Sequence, residues 1–511
     1  MKNVFFNRDV LSVEKKIMDS LGIPSILLME NAGANSAKYI QSKFKDKLAE
    51  PVIILTGKGN NAGDGFVIAR HLAIAGVKSL VLLVYPAEDL KGDAKINHDV
   101  IVKTGNDLIA IEGYSDNIDF NGRVIIDAIF GIGFRGEPDA KMKSIINKLN
   151  RLEEKTIISV DVPSGLEKYD QQTECIKADC TISMGVKKFH SMFYEGKNYS
   201  GEIEVANIGV PESEFNKYNE AHIYEIEKSD IKKMIPHRKS DSYKYSNGKL
   251  FVLAGAKGYT GAGCLSAEAG LRTGSGAVTI GFPKSLDDIF EKKLTDVVKL
   301  PLPETDDVTL SMEGFEKIRE KIKWSDVTLI GPGIARDNDT IELVRKIIRE
   351  CEHNYLIDAD GLFALNDHLD IVRDSKSNII LTPHFGEFAS LLGIHVEELK
   401  ADFYNYARDF AGEYGVVLVL KNAPTVITDG NGFYINSTGH ENLGTVGTGD
   451  VLSGIISSLY SQSGNALESS IAGSYLHGFC GDILYEQTGD SSTIASDLIP
   501  LISKAKYYLS K

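Results

Sequence analysis

The sequence predicts an α/β protein of two domains, each built on a largely parallel sheet. Three observations predict it. The 511 residues exceed what one ordinary core organises. Short apolar runs end in glycine or acidic turns and alternate with helix-like runs, the βαβ order of a parallel sheet. That order begins twice, as strand, glycine-rich loop and helix, at PVIILT (51–56) and again at KLFVLAG (249–255).

In the first block PVIILT reads as a buried strand, GKGNNAGDG as its loop, FVIARHLAIAG as a helix and SLVLLVY as the next strand. RVIIDAIFGIG and TIISVDVPSG repeat the pattern, each an apolar strand with an acid and a glycine turn at its carboxyl end. Ligands of open α/β sheets bind along that edge. In the second block KLFVLAG is a strand, AKGYTGAG its loop and CLSAEAGLRTG a helix. AVTIGF, VTLIGPG, YLIDADG, NIILTPH and VVLVLK follow as strands. Helices built on GDVLSGIISSLY, SYLHGFCGDILYEQ and TIASDLIPLISKAKYYL close the chain. The stretch 211–230 is polar and lacks a glycine loop, so the boundary belongs inside it and the domains are expected at 1–220 and 221–511.

Composition narrows the function classes. An apolar fraction of 43% and a charged fraction of 25% are those of a soluble globular protein. No apolar run approaches the roughly eighteen residues of a membrane span. The N-terminal MKNVFFNRDVLSVEKK alternates charge with apolar residues and lacks a secretory leader's apolar core, so a cytoplasmic protein without a membrane partner is expected. A net charge of −15 argues against nucleic-acid binding, though a helix terminus can still hold a phosphate. Cys175, Cys180, Cys264, Cys351 and Cys480 are scattered, which favours buried thiols over a zinc site or disulfide framework.

The segment GTVGTGDVLSG (444–454) places Asp450 at the end of a glycine turn, directly before an apolar helix-like run. Asp450 is either the helix N-cap or a base beside a phosphoryl group. Gly447, Thr448 and Gly449 can cradle phosphate, whereas a cap has no need of two glycines and their backbone entropy cost. In the first block GKGNNA fits the loose dinucleotide pattern, but the second strand ends in Tyr85 and Pro86 without an acid, which disfavours a conventional dehydrogenase. Asp127 and Asp161 each close a strand, as turn formers or as ligand-facing acids. Two such acids on one sheet edge, followed by GIG and PSG, favour the ligand-facing reading.

GTGDVLSG resembles the anion-hole and base motif of ribokinase-like small-molecule kinases. With LAGAKGYTGAGCLSAEAGLRTGSGAVTI, GPGIA, DADGL, TPHFGE, KNAPTVI, TGHENLGTVGTGDVLSG and HGFCGD…IASDLI, in order between residues 253 and 499, the second block resembles the NAD(P)H-hydrate dehydratases. The first block, through PSILLMENAG, GKGNNAGDG, IIDAIFGIGFRGE and SVDVPSG, resembles the NAD(P)H-hydrate epimerase domain, a Rossmann-like three-layer α/β/α fold. The resemblance implies a bifunctional repair enzyme. One domain would exchange the R and S forms of hydrated NADH or NADPH. The other would phosphorylate the ring hydroxyl of the S form at the expense of ADP or ATP with Mg²⁺, and phosphate would then leave to regenerate NAD(P)H.

It also implies site residues. Asp450 would be the base of the dehydratase and Gly447, Thr448 and Gly449 its anion hole. Lys421, Asn422, Ala423, Pro424 and Thr425 would hold the nucleotide. Gly263, Gly333 and His384 would face the hydrated cofactor, with His440 and Asn442 nearby. In the epimerase, Asp161 would be the acid/base. Asn60, Asn61, Ala62, Gly63 and Asp64, with Gly131, Ile132, Gly133, Phe134, Arg135, Gly136 and Glu137, would hold the cofactor's phosphates and sugar. Asn61, Asp127 and Ser164 would ligate K⁺, a hard cation suited to oxygen ligands. A homo-oligomer is expected from the family. The sequence departs from the family pattern at Ala62, Phe385, His440, Asn442 and Val446, where Gly, Pro, Asn, Gly and a small residue are usual. The alternatives are a vitamin-type alcohol kinase fused to a ligand-binding domain, and a first domain that binds without catalysis.

Overall fold

The structure, a computed structural model, describes residues 1–105, 107–170, 174–238 and 242–511. The chain divides into two compact units, Lys2–Ala221 and His222–Lys511 together with Met1. Among the described residues no helix is long and apolar enough to cross a membrane.

The N-terminal unit is built on a parallel sheet whose strands lie in the order Ile109–Gly113, Ser79–Leu83, Val52–Thr56, Arg123–Ala128, Lys155–Val160, Cys180–Met184 and Glu202–Ala206. The central strands are buried along their length except at Arg123, as the apolar runs of a sheet covered on both faces require. From Val52–Thr56 the chain first builds outward one way and then returns to build the other way from Arg123–Ala128. A crevice therefore opens between the carboxyl ends of these two strands. Gly57 closes its floor: its N–H donates to the Ala128 carbonyl at 3.2 Å. A Cβ at Gly57 would lie 2.1 Å from the Ile129 carbonyl oxygen.

The C-terminal unit repeats the device on a larger scale. Its strands run Val298–Leu302, Ala277–Pro283, Lys249–Leu253, Val327–Ile330, Asn354–Ile357, Asn378–Leu381 and Val417–Leu420, all parallel. The next two, Thr425–Thr428 and Phe433–Asn436, are antiparallel, and Ile223–Glu225 pairs parallel with the last. Here the switch lies between Lys249–Leu253 and Val327–Ile330. The antiparallel pair is not among the strands expected from sequence, because KNAPTVI and its neighbours carry turn residues that mask two short strands.

Helices Thr260–Thr273, Thr448–Ser463, Ala466–Thr488 and Ala495–Ser510 pack on one another, and Thr448–Ser463 also lies against both strands of the switch. Glycine permits the closest of these approaches. A Cβ at Gly454 would stand 2.3 Å from the Ser266 carbonyl oxygen, a backbone atom that cannot swing away. Replacing Gly454 by Ala is therefore expected to destabilise the C-terminal unit by about 1–3 kcal/mol through overpacking. Denaturant titration of the full chain would read this as a lower midpoint for that unit's transition, with the N-terminal unit unmoved.

Candidate active sites

The first site surrounds the N-terminal crevice. The helix Asn60–Ile74 begins inside the motif that the sequence assigns to a loop, with Gly59 as its N-cap. Asn60, Asn61, Ala62, Gly63 and Asp64 thus open a helix rather than form a loop, and only the first N–H groups are left without an intrahelical acceptor. The correction has a steric reason. A Cβ at Gly63 would lie 2.5 Å from the Met29 sulfur, and one at Gly65 would lie 2.8 Å from the Ala128 Cβ. Ala62 itself has its methyl fully buried in the core.

Asp161 follows the strand Lys155–Val160 with a φ of +71°, a conformation that only surrounding contacts hold in a non-glycine residue. One carboxylate oxygen accepts from the Ile132 N–H at 3.1 Å. The other meets the Lys188 ammonium at 2.6 Å. Lys188 is wholly buried and also donates to the Met184 carbonyl at 2.8 Å. Removing either member of such a pair leaves an uncompensated buried charge, at a cost of about 3–5 kcal/mol. Asp64 lies close by, and its carboxyl is held well above the usual carboxylate range by burial, reinforced by the charges of Asp161 and Glu14.

Asp127 is fully buried beneath this cluster. It accepts from the Ser164 hydroxyl at 2.5 Å, the Ser164 N–H at 2.9 Å and the Ser159 hydroxyl at 2.8 Å. The Ser164 oxygen in turn accepts from the Phe130 N–H at 2.8 Å. Beside it both side-chain polar atoms of Asn61 are buried without a hydrogen-bond partner. Gly131 packs against Asn61 and Asp161 where no side chain would fit comfortably, since a Cβ there would lie 3.0 Å from the Asp161 carboxylate. The rest of that loop turns inward on itself. Phe134 stacks on Phe130 at 4.2 Å, Arg135 donates to the carbonyls of Ile132 and Phe134, and Glu137 pairs with Lys143. Gly133 approaches Leu11 and Gly136 takes a φ of +89°.

Lys188 and Glu14 were not picked out by the sequence reading. Glu14 carries a legible sign: with Val10, Val13 and Ile17 it forms an i, i+3, i+4, i+7 set, so it sits on the buried face of its helix. Lys188 carries none, because a lysine after a strand reads as solvated.

In the C-terminal unit Asp450 is not the helix cap. Gly447 is the N-cap of Thr448–Ser463, with a φ of +94°, and Asp450 occupies the third helical position. The N–H groups of Gly449 and Asp450 have no intrahelical acceptor there. Thr448 is more tightly held: its hydroxyl donates to the carbonyls of Leu443 and Thr445, and its N–H is drawn to Thr445 at 3.3 Å. Burial, with help from Asp358 and against the pull of Lys421, lifts the Asp450 carboxyl to about 7.

Lys421 bridges this helix end to the strand ends. Its ammonium contacts Asp358 at 2.8 Å and Glu387 at 3.8 Å, and it pairs backbone to backbone beside His384. His384 caps the helix Phe385–Leu392, its Nδ1 accepting from the Glu387 N–H at 3.2 Å, while its ring stays 59% exposed at the edge. Phe385 occupies the first helical position, where Pro is well tolerated, and tilts against Phe403 instead. Asn422 has a buried, unpartnered amide nitrogen, its carbonyl accepts from the Thr425 hydroxyl, and Ala423 and Pro424 are joined by a cis bond.

Gly333, with a φ of +61°, packs on Tyr259, and a polar cavity of about 490 Å³ lined by Lys257, Ala335 and Arg336 opens beside it. Gly263 departs from expectation: it lies within the helix Thr260–Thr273 and faces Ile280 and Phe290, so it serves packing and not an open loop. His440 stacks on Tyr485 at 4.2 Å, and buried Asn442 donates to the Gly481 carbonyl at 3.0 Å. Val446 is almost fully exposed.

Folded Asp450 holds its proton more tightly than the unfolded chain, so its ionisation penalises folding as pH rises from about 4 towards 7. Asp450→Asn is accordingly expected to unfold at higher denaturant than the parent at pH 8, with the difference shrinking towards pH 4. Equilibrium unfolding at the two pH values checks this.

The family described as NAD(P)H-hydrate dehydratase matches residues 250–504, and that described as YjeF-related protein N-terminus matches residues 25–189. A bifunctional NAD(P)H-hydrate repair enzyme of Moorella thermoacetica is 35% identical over 494 residues, covering 94% of this chain and 92% of its own. One from Thermofilum pendens is 31% identical over 505 residues, covering 97% and 95%. A ribokinase-like superfamily protein of Enterococcus faecalis, 22% identical with a TM-score of 0.50, covers 57% of this chain and 98% of its own and shares the C-terminal fold. With both halves matched in one chain and in the same order, the protein belongs to the bifunctional NAD(P)H-hydrate repair enzymes.

Proposed function

We propose that this protein restores hydrated NADH and NADPH, its N-terminal domain (1–220) interconverting the R and S epimers and its C-terminal domain (221–511) dehydrating the S form with ADP or ATP. The observation that carries the reading is a carboxylate at the ligand-facing edge of each unit, Asp161 buried at a strand end in one and Asp450 half-buried in a helix's first turn in the other, in a chain alike to repair enzymes along nearly its whole length. That likeness does not favour the vitamin-kinase alternative.

In the dehydratase the nucleotide, when bound, supplies the phosphoryl group that turns the ring hydroxyl into a leaving phosphate. Asp450 accepts the hydroxyl proton, a task suited to a carboxyl held at about 7. The Gly449 and Asp450 amides and the helix N-terminus stabilise the transferring anion, with Gly447 and Thr448 shaping the turn. Lys421, with Asn422 to Thr425, holds the nucleotide side, and the Asn422 amide awaits a partner there. Mg²⁺ belongs with the nucleotide's phosphates. Gly333 and His384 border the substrate side.

In the epimerase Asp161 exchanges protons with the substrate while Lys188 and the Ile132 N–H hold its carboxylate in place. The residues present fit K⁺: the Asn61 oxygen is buried without a partner against Gly131, in the crevice whose strand end carries Asp127 and Ser164, and the three would hold the ion. The ion would supply positive charge beneath the substrate's phosphates. Free cysteines fit a reducing compartment, and a cytoplasmic homo-oligomer completes the reading.

Five outcomes are expected. With an R/S mixture of hydrated NADH, Mg²⁺, K⁺ and ADP or ATP, dihydronicotinamide absorbance recovers completely. Asp450→Asn loses dehydration by orders of magnitude, and the parent's dehydration rate climbs with pH through about 7 as Asp450 ionises. Asp161→Asn stops recovery once the S form is exhausted, with pure S substrate dehydrated as before. For the ion, K⁺ raises the N-terminal unit's thermal midpoint relative to Li⁺ at equal ionic strength, and Asn61→Ala removes the difference. Normal turnover by Asp450→Asn would return that carboxylate to a purely structural role.

A further inference from the structure

Glu14 is the feature of the epimerase unit that neither the motifs nor the proposed chemistry absorbs. It lies on the helix Asn7–Leu21, on the face carrying Val10, Val13 and Ile17, where an acid has no packing role. It lines a cavity of about 160 Å³ together with Asn60 and Asp64, the two first-turn residues of the crevice helix, and Met184, whose carbonyl holds Lys188. One turn earlier Leu11 meets Gly133 of the loop that binds Asp161 through Ile132. Glu14 therefore faces the first residues of the crevice helix from a different element, near enough to Asp161 and Lys188 for their charges to act on it. Burial pushes its carboxyl up to about 7, with Lys188 opposing and Asp161 reinforcing the rise.

Of the charged groups around it, Asp93 lines the same cavity and accepts from the Ser25 hydroxyl at 2.5 Å. Lys188 is paired with Asp161, and burial raises the Asp64 carboxyl well above the usual carboxylate range. On the packed helix Glu212–Asn216, Glu212 accepts from Asn3 and Glu214 pairs with Lys217. The crevice thus offers one carboxylate tied to a lysine and one carboxyl able to carry a proton near neutrality, the division of labour that acid/base pairs require.

We propose that Glu14 is a second catalytic residue of the epimerase, the general acid that complements Asp161 as base. The inference rests on the epimerase reading of this domain. The hydrated carbon is bonded to both the ring nitrogen and a hydroxyl. Glu14 donates its proton to that hydroxyl, the carbon–oxygen bond breaks with its electron pair leaving on water, and the nitrogen lone pair forms the carbon–nitrogen double bond. Water then adds to the other face, its electron pair forming the new carbon–oxygen bond and its proton passing to Asp161. Solvent returns that proton from Asp161 to Glu14, so water, charge and electrons balance over the cycle.

The test follows conversion of R-enriched hydrated NADH to the S form, without nucleotide, in the full-length parent, Glu14→Gln and Glu14→Asp across pH 5.5–9. Glu14→Gln is expected to lower kcat by about 10²-fold or more with little change in KM. The parent's loss of rate as pH rises through about 7 disappears in Glu14→Gln and is retained, at a reduced rate, in Glu14→Asp. Circular dichroism melting verifies that each variant is folded. A Glu14→Gln enzyme that keeps the parent's kcat and its alkaline limb overturns the assignment while leaving the epimerase reading intact. A parent that does not interconvert the epimers overturns both.

Discussion

Close approach of helix N-termini to the carboxyl ends of parallel strands is the constraint on which both units depend. It is met by leaving out side chains. Gly57, Gly63 and Gly65 bring the helix Asn60–Ile74 against its strands, and Gly454 brings Thr448–Ser463 against Thr260–Thr273. Each glycine costs backbone entropy that a helix interior would otherwise save. What the structure gains is a set of unpaired N–H groups at the bottom of a crevice, close enough to a bound anion for the helix dipole to act on it.

The same closeness creates the electrostatics. Acids at these edges are buried among backbone and apolar side chains, so ionisation is disfavoured unless a partner stands near. Asp161 has Lys188 and a backbone N–H; Asp358 has Lys421. Asp450 and Glu14 have no such direct cation, and their carboxyls rise to about 7. Each site therefore couples a lysine-paired carboxylate to a carboxyl that burial has raised, although the surrounding folds differ. Strain accompanies this at Asp161 and Ala359, both non-glycine residues at positive φ on a sheet edge.

The departures from the family pattern acquire physical meaning in this setting. Ala62 is absorbed by the core, Phe385 takes a helix position where a proline's missing N–H is not needed, and Val446 projects into solvent. Asn442 exchanges a small residue for a buried hydrogen bond to Gly481. Only Val446 lies in the turn that carries Asp450, directly before the cap Gly447, and its side chain points to solvent.

Local pattern by itself determined the two α/β units, the central strands and the acids that close them, because unbroken apolar runs and strand-ending Asp or Gly are properties of contiguous residues. Asp127, Asp161 and Asp450 were legible for that reason, and Glu14 was legible in principle from its helical spacing. Tertiary structure alone decided the rest. Whether a glycine motif is loop or helix depends on what packs against it, which is why Asn60 to Asp64 and Gly263 moved into helices. Lys188 reaches Asp161 across 27 residues of chain, and Lys421 reaches Asp358 across 63, through side chains whose burial no local window records. A pKa likewise belongs to an environment assembled from several elements, so the poise of Asp450 could be written only once the helix, the strand ends and their charges stood together.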